Sequence, residues 1–121
     1  MRACAWGVVL VTLSAALAGC GREPSPDEQN AQGVAVWETY CQACHTQGAI
    51  GTRLTLSGLA SYGSPARLVD YTRLAMPYGM GGALTDGEYR AVVAYLLHEH
   101  GLLPANMAVG PASANTFQSD N

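Results

Sequence analysis

Residues 41–45 read Cys-Gln-Ala-Cys-His, and this run constrains the fold of the chain more than any other feature. Two thiols three residues apart, followed directly by an imidazole, have the spacing that covalent haem attachment requires. Each thiol can add to one haem vinyl group, while the short turn between them places the imidazole beneath the iron. We therefore predict one covalent haem c, attached through Cys41 and Cys44, with His45 as an axial ligand of its iron.

Two other kinds of site use a Cys-x-x-Cys pair. A thioredoxin-like redox couple follows a strand in a βαβ unit, and a zinc site needs further ligands at metal spacing. The segment before Cys41 has the pattern of a helix, and the remaining cysteines, Cys4 and Cys20, belong to the N-terminal segment. The residues therefore favour haem over either alternative.

The first 20 residues have the pattern of a bacterial secretion signal. A charged start is followed by an apolar stretch too short to span a membrane, and then by small residues. The ending Leu-Ala-Gly-Cys resembles the lipobox of lipoproteins, in which cleavage leaves an acylated cysteine as the first mature residue. We predict a lipoprotein signal peptide over residues 1–19 and a lipid anchor at Cys20, since two or more acyl chains give stable membrane attachment. An ordinary signal peptide with an incidental cysteine is the alternative.

The mature chain is long enough for one small domain. Residues 20–31 are polar, contain two prolines and are predicted to be a flexible linker behind the lipid anchor. The predicted haem domain spans residues 32–103, and residues 104–121 form either a loose C-terminal tail or a strap along the surface. We expect this protein to face the periplasm from a membrane of the bacterial envelope, inner or outer.

The charge pattern is marked by the complete absence of lysine. Without the predicted signal peptide, five arginines stand against nine acidic residues. This balance excludes nucleic acid as a plausible partner, and it excludes a docking face ringed by lysines. A redox partner is expected to meet this chain through apolar and arginine contacts instead.

Three helices can be predicted, and no strand pattern is present, so the expected fold class is all-α. The first helix runs from about Gln32 to the attachment site, with Gly33 at a position where another helix could approach closely. The second begins at the cap and first-turn proline of residues 64–65 and stops at Pro77. The third begins with the Thr-x-x-Glu capping box of residues 85–88 and ends before Gly101.

From Gly33 to about residue 103 the chain resembles the class I c-type cytochromes. In that family a glycine and an aromatic residue of the first helix, here Gly33 and Trp37, cross the last helix near an aromatic residue, here Tyr95. Residues 73–97 are similar to the Met-Pro loop and final helix of the family. More narrowly, this stretch and the Gly-Leu-Leu-Pro exit at residues 101–104 are similar to cytochrome subunits of sulfite dehydrogenases and thiosulfate-oxidising systems.

The resemblance implies that Met76 is the second axial ligand of the haem iron. Met80 is an alternative four residues further on, and Met107 is another. His98 and His100 could in principle give a bis-histidine iron, although their position at the end of the third helix suits partly protonated imidazoles. Family members also carry a proline in the loop after the motif, where this chain has Leu-Thr-Leu-Ser-Gly at residues 54–58, so the residue that orients the proximal histidine is left open.

The resemblance implies an electron carrier and no catalytic residues, although such a protein can be a subunit of an oxidoreductase complex. The expected donor is a periplasmic dehydrogenase that oxidises sulfite or another sulfur compound, and the expected acceptor is a cytochrome or oxidase of the respiratory chain. Two alternatives are a peroxidase-like or gas-sensing protein with an open or displaceable distal site, and a structural lipoprotein without haem.

Overall fold

The computed structural model describes residues 21–46, 51–111 and 117, so the predicted signal peptide and Cys20 lie outside the described residues. In this part of the chain the secondary structure is entirely helical, which confirms the predicted all-α fold. No helix among the described residues is both long enough and apolar enough to cross a membrane. In chain order the elements are α1 (Pro26–Val36), a π-helical turn (Trp37–Cys41), α2 (Gln42–His45), α3 (Leu56–Ala60), α4 (Pro65–Ala75) and α5 (Asp86–Glu99).

Helix α1 begins earlier than the sequence predicts. The Ser25 side chain accepts a hydrogen bond from the Glu28 amide, and the Glu28 carboxylate accepts one from the Ser25 amide at 2.7 Å, which completes a capping box around Pro26. The predicted flexible linker is therefore wrong for residues 26–31, because they are helical and Gln29 among them is buried. The prolines that suggested a linker include the first residue of the helix.

Helices α1 and α5 cross at Gly33. A Cβ atom on Gly33 would overlap the carbonyl oxygen of Ala91 and lie 2.7 Å from the Cβ of Tyr95, so only glycine fits between the two backbones. One turn later, the Trp37 and Tyr95 rings lie with their centroids 6.2 Å apart. The crossing predicted from the sequence is confirmed, and it fixes where the segment after Trp37 enters the fold.

Helices α4 and α5 begin where the sequence predicts. Ser64 caps α4, whose first residue is Pro65, and Thr85 forms a capping box with Glu88 at the start of α5. Helix α5 is the most deeply buried element, and Gly101 ends it with a φ of +67°, in the left-handed region that favours glycine. The buried side chains that α5 adds to the core are Tyr89, Ala91, Val92, Val93, Ala94, Leu96 and Leu97.

Residues 104–111 form a strap and not a loose tail. The buried Gln29 side chain makes two hydrogen bonds of 2.8 Å to the backbone of Val109, donating from Nε2 to the carbonyl oxygen and accepting at Oε1 from the amide. His98 donates from Nε2 to the Met107 carbonyl oxygen at 2.9 Å, and its Nδ1 lies 3.2 Å from the Asn30 side chain. These contacts hold the strap against α1 and α5, and they give His98 a structural role.

Replacement of Gly33 by alanine should lower the free energy of unfolding by about 1–3 kcal/mol, because the added methyl group forces the two helices apart. This loss should outweigh the gain of about 1 kcal/mol that alanine brings to a helix interior. The matched control is Gly87→Ala in α5, where the new Cβ would meet only Thr85 Oγ1 at 4.0 Å and should not destabilise the protein. Guanidinium unfolding of the haem-loaded protein measures both, and equal stabilities for the two variants would contradict the crossing.

Candidate functional site

A cavity of about 710 Å³ lies between the segment that follows α1, the loop at residues 51–55, helices α3 and α4, and one face of α5. This volume falls within the range of roughly 300–1,000 Å³ that is usual for cofactor sites. Most of the exposed wall is apolar. Aromatic and aliphatic side chains make up much of it, namely Trp37, Tyr40, Leu54, Leu59, Tyr62, Leu68, Tyr71, Val92 and Leu96.

Cys41 and Cys44 both line this cavity, and both carry free thiols. The π-helical turn ends at Cys41, and the single turn of α2 then brings Cys44 and His45 to the same wall. Burial raises the pKa of the Cys41 thiol to about 11, and the neighbouring Cys44 adds a smaller upward effect. In the polypeptide before any attachment, the Cys41 side chain is therefore a neutral thiol at physiological pH.

His45 is oriented by two neighbours. Its Nδ1 donates a hydrogen bond of 2.7 Å to the carbonyl oxygen of Thr52, and its ring stacks against Trp37 with centroids 6.1 Å apart. Because Nδ1 carries the proton, the lone pair of Nε2 is left for a metal ion. The sequence left this partner open and pointed to residues 54–58, part of which forms the short helix α3. A backbone carbonyl has no residue type that could reveal it, so only the fold identifies Thr52.

The five candidates for a second axial ligand occupy different places. Met76 follows the last residue of α4 and lines the cavity together with His45. Met80 is exposed over 57 % of its surface and is not among the described residues that line this cavity. Met107 packs against the hydrophobic core, His98 binds the strap, and His100 donates from Nδ1 to the Leu96 carbonyl oxygen at 2.8 Å. Of these candidates, Met76 alone shares the cavity with the Cys-x-x-Cys-His segment.

The two alternative uses of the cysteine pair lack the context that they need. Among the described residues, no three His, Cys, Asp or Glu side chains are grouped so that they could hold a metal ion. The segment that leads into Cys41 is helical, whereas a thioredoxin-like couple follows a strand.

The residues around the cavity fit a haem. Two thiols can form the covalent links, and the nitrogen of His45 and the sulfur of Met76 are both known haem-iron ligands. Leu59, Leu68 and Leu96 line the cavity and also belong to the hydrophobic core. An apolar group bound in the cavity would therefore extend that core.

An all-α domain with a Cys-x-x-Cys-His segment on the wall of an apolar cavity defines a class I c-type cytochrome. The chain belongs to the family described as "Cytochrome C oxidase, cbb3-type, subunit III", whose model matches residues 28–96, more than half of the chain. Its cofactor is a covalently bound haem c, and its activity is electron transfer between redox proteins. Comparison with curated proteins and with solved structures gives no match.

Proposed function

We propose that this cytochrome is a membrane-anchored one-electron carrier, which accepts electrons from a periplasmic dehydrogenase and passes them to the respiratory chain. In this proposal Cys41 and Cys44 hold the haem covalently, while His45 and Met76 are the axial ligands of its iron. The observation that carries the proposal is that all four side chains line one cavity of cofactor size.

The chain's own groups would adapt the site to electron transfer. When bound, the haem supplies reversible one-electron exchange at its iron. The Thr52 carbonyl holds the His45 ring in one orientation and raises the basicity of its free nitrogen. The Met76 sulfur favours the reduced iron and so raises the reduction potential relative to two nitrogen ligands. The apolar wall of the cavity would limit the access of water to the haem, which further favours the less charged, reduced iron.

An apolar surface beside the cavity supports docking of a redox partner. Leu74, Tyr78 and Met80, here called the distal patch, are exposed over 84 %, 86 % and 57 % of their surfaces. The chain carries no charged residue between positions 74 and 84, and the neighbouring Arg73 is paired with Asp70 and Asp86 at 3.2 and 3.1 Å. A partner with an apolar, uncharged face would fit this surface. The resemblance of residues 73–97 and 101–104 supports a dehydrogenase of sulfur compounds as the donor.

The distal ligand can be tested with the variants Met76→Ala and Met80→Ala, expressed with a cytochrome c maturation system. The wild type should show the weak near-infrared sulfur-to-iron band of Met/His ligation, Met76→Ala should lose it, and Met80→Ala should retain it. Absorption spectra of the oxidised and reduced proteins measure this. A high-spin wild type that binds external ligands readily would contradict the carrier and favour the peroxidase-like or gas-sensing alternative. Loss of the band in Met80→Ala alone would move the ligand to Met80.

The donor and the distal patch can be tested together by mixing the oxidised protein with sulfite and a purified sulfite dehydrogenase. The haem should be reduced rapidly, and the rate of reduction should change less than about threefold between low and high salt, because the distal patch has no charges to screen. Leu74→Asp should slow it by about tenfold or more, since a charge would be desolvated in the contact. The control Ala31→Asp adds the same charge at an exposed position of α1. A steep salt dependence would contradict apolar docking, and no reduction at all would contradict the donor.

The lipid anchor can be tested by metabolic labelling with radioactive palmitate. The wild type should take up the label and sediment with membranes, and Cys20→Ser should lose the label because the acylated thiol is missing. Cys4→Ser is the matched control, since it removes a cysteine from the same segment and should leave the label in place. An unlabelled, soluble wild type would show that the segment is an ordinary signal peptide.

A further inference from the structure

The hydroxyl group of Tyr89 connects the two ends of the loop that carries Met76. The Tyr89 side chain is completely buried in α5, and its hydroxyl donates a hydrogen bond of 2.9 Å to the carbonyl oxygen of Met76. The hydroxyl oxygen of Tyr89 also accepts hydrogen bonds from the Gly82 amide at 2.9 Å and from the Leu84 amide at 3.4 Å. One core side chain therefore holds both the first residue of the loop and the residues that close it.

Apart from Tyr89, one backbone hydrogen bond ties the loop to α4, from the Gly82 amide to the Arg73 carbonyl oxygen at 2.8 Å. Two more lie within the loop, from Met80 to Pro77 and from Ala83 to Met80. Gly79 and Gly82 have φ values of +76° and +80°, and a Cβ on Gly81 would overlap the carbonyl oxygen of Leu74, so three of its residues are glycines for steric reasons. Glycine is the most flexible residue in the unfolded chain and costs most to order. The side chains of Tyr78 and Met80 in this loop are exposed and contribute little packing. Hydrogen bonds to the body of the domain must therefore supply much of the order.

Met76 is fixed at both of its backbone polar groups. Its amide donates to the Thr72 carbonyl oxygen at 2.8 Å, as the last bond of α4, and its carbonyl accepts from Tyr89. Tyr89 is not among the described residues that line the cavity, so its hydroxyl acts on the Met76 backbone and not on a bound group. With its amide and its carbonyl both held, the Met76 backbone is restrained on either side of its Cα atom.

We propose that Tyr89 is a positioning residue for the distal ligand: its hydroxyl holds the Met76 backbone so that the thioether stays directed into the cavity. This inference rests on the proposed role of Met76. The aromatic ring of Tyr89 belongs to the core, whereas its hydroxyl reaches the loop. The two functions of one side chain are separable, since phenylalanine keeps the ring and removes the hydroxyl.

Removal of the Tyr89 hydroxyl should weaken the bond between the Met76 sulfur and the iron most in the oxidised protein. A thioether stabilises the ferrous state, so its bond is the weaker one when the iron is ferric. Loss of the Tyr89 hydroxyl would remove the hydrogen bonds to the Met76 carbonyl and the Leu84 amide, whereas the Gly82 amide would keep its bond to the Arg73 carbonyl oxygen. A neutral hydrogen bond contributes about 0.5–1.5 kcal/mol. A loosened loop would release the sulfur more often, and an external ligand would then compete better for the ferric iron.

The experiment is titration of the haem-loaded, oxidised full chain with imidazole, comparing the wild type with Tyr89→Phe. We expect the apparent imidazole affinity to rise by about tenfold in Tyr89→Phe, which corresponds to about 1.4 kcal/mol, and the near-infrared band to weaken. Val93→Ala is the control for general destabilisation, because Val93 is a completely buried α5 residue that is not among the described residues lining the cavity. It should lower the unfolding free energy without changing the imidazole affinity.

Unchanged imidazole affinity in Tyr89→Phe would overturn the inference. An increase in both variants, in proportion to the stability lost, would overturn it as well, because the hydroxyl would then act only through global stability. Failure of the proposed ligand is distinguishable, since it appears in Met76→Ala. If that variant keeps the wild-type spectrum and imidazole affinity, Met76 is not the ligand whatever Tyr89→Phe does.

Discussion

The close crossing of α1 and α5 at Gly33 is the contact on which the rest of the domain depends. It brings two backbones together where no side chain could stand between them, and it places Trp37 against Tyr95. The π-helical turn that follows Trp37 leads directly into the Cys-x-x-Cys-His segment. The position of the haem-attachment wall is therefore set by a helix contact one to two turns earlier in the chain. The other walls of the cavity come from α3, α4 and α5, through side chains that also belong to the hydrophobic core.

A hydrogen bond from a side chain to a backbone carbonyl orders each of two sides of the cavity. On one side the backbone carbonyl of Thr52 accepts a hydrogen bond from His45 and fixes its ring. On the other side the Met76 carbonyl accepts a hydrogen bond from Tyr89, which fixes the backbone of the proposed distal ligand. In both cases a side chain from a helix makes a hydrogen bond to a backbone carbonyl of a loop. These hydrogen bonds require no additional polar residue. Each acceptor is a backbone carbonyl, and each donor belongs to a side chain that has another role, His45 as a proposed ligand and Tyr89 in the core.

Predictions that rest on local chemistry agree with the fold. Ser64 and Thr85 cap the starts of α4 and α5, where each side-chain oxygen accepts a hydrogen bond from the amide three residues later. This contact is local, so it does not depend on where the helix packs in the fold. The same chemistry at Ser25 was missed, since two prolines in a polar stretch also describe a linker, and only burial of Gln29 against Val109 shows that this stretch belongs to the domain. The strap likewise has no periodic pattern, because its backbone is held by a glutamine and a histidine and its apolar contacts come from isolated residues such as Met107 and Val109.

The sequence by itself determined the Cys-x-x-Cys-His motif, the all-α class and the glycine at which two helices could approach closely. These depend on residue types at short spacing, which covalent attachment, capping and close backbone approach require directly. Only the tertiary structure decided that Thr52 orients His45, that Met76 shares the cavity whereas Met80 lies outside it, and that Tyr89 ties the Met76 loop to the core. These contacts join residues whose types are common and whose separation along the chain carries no pattern, so they exist only once the helices have packed.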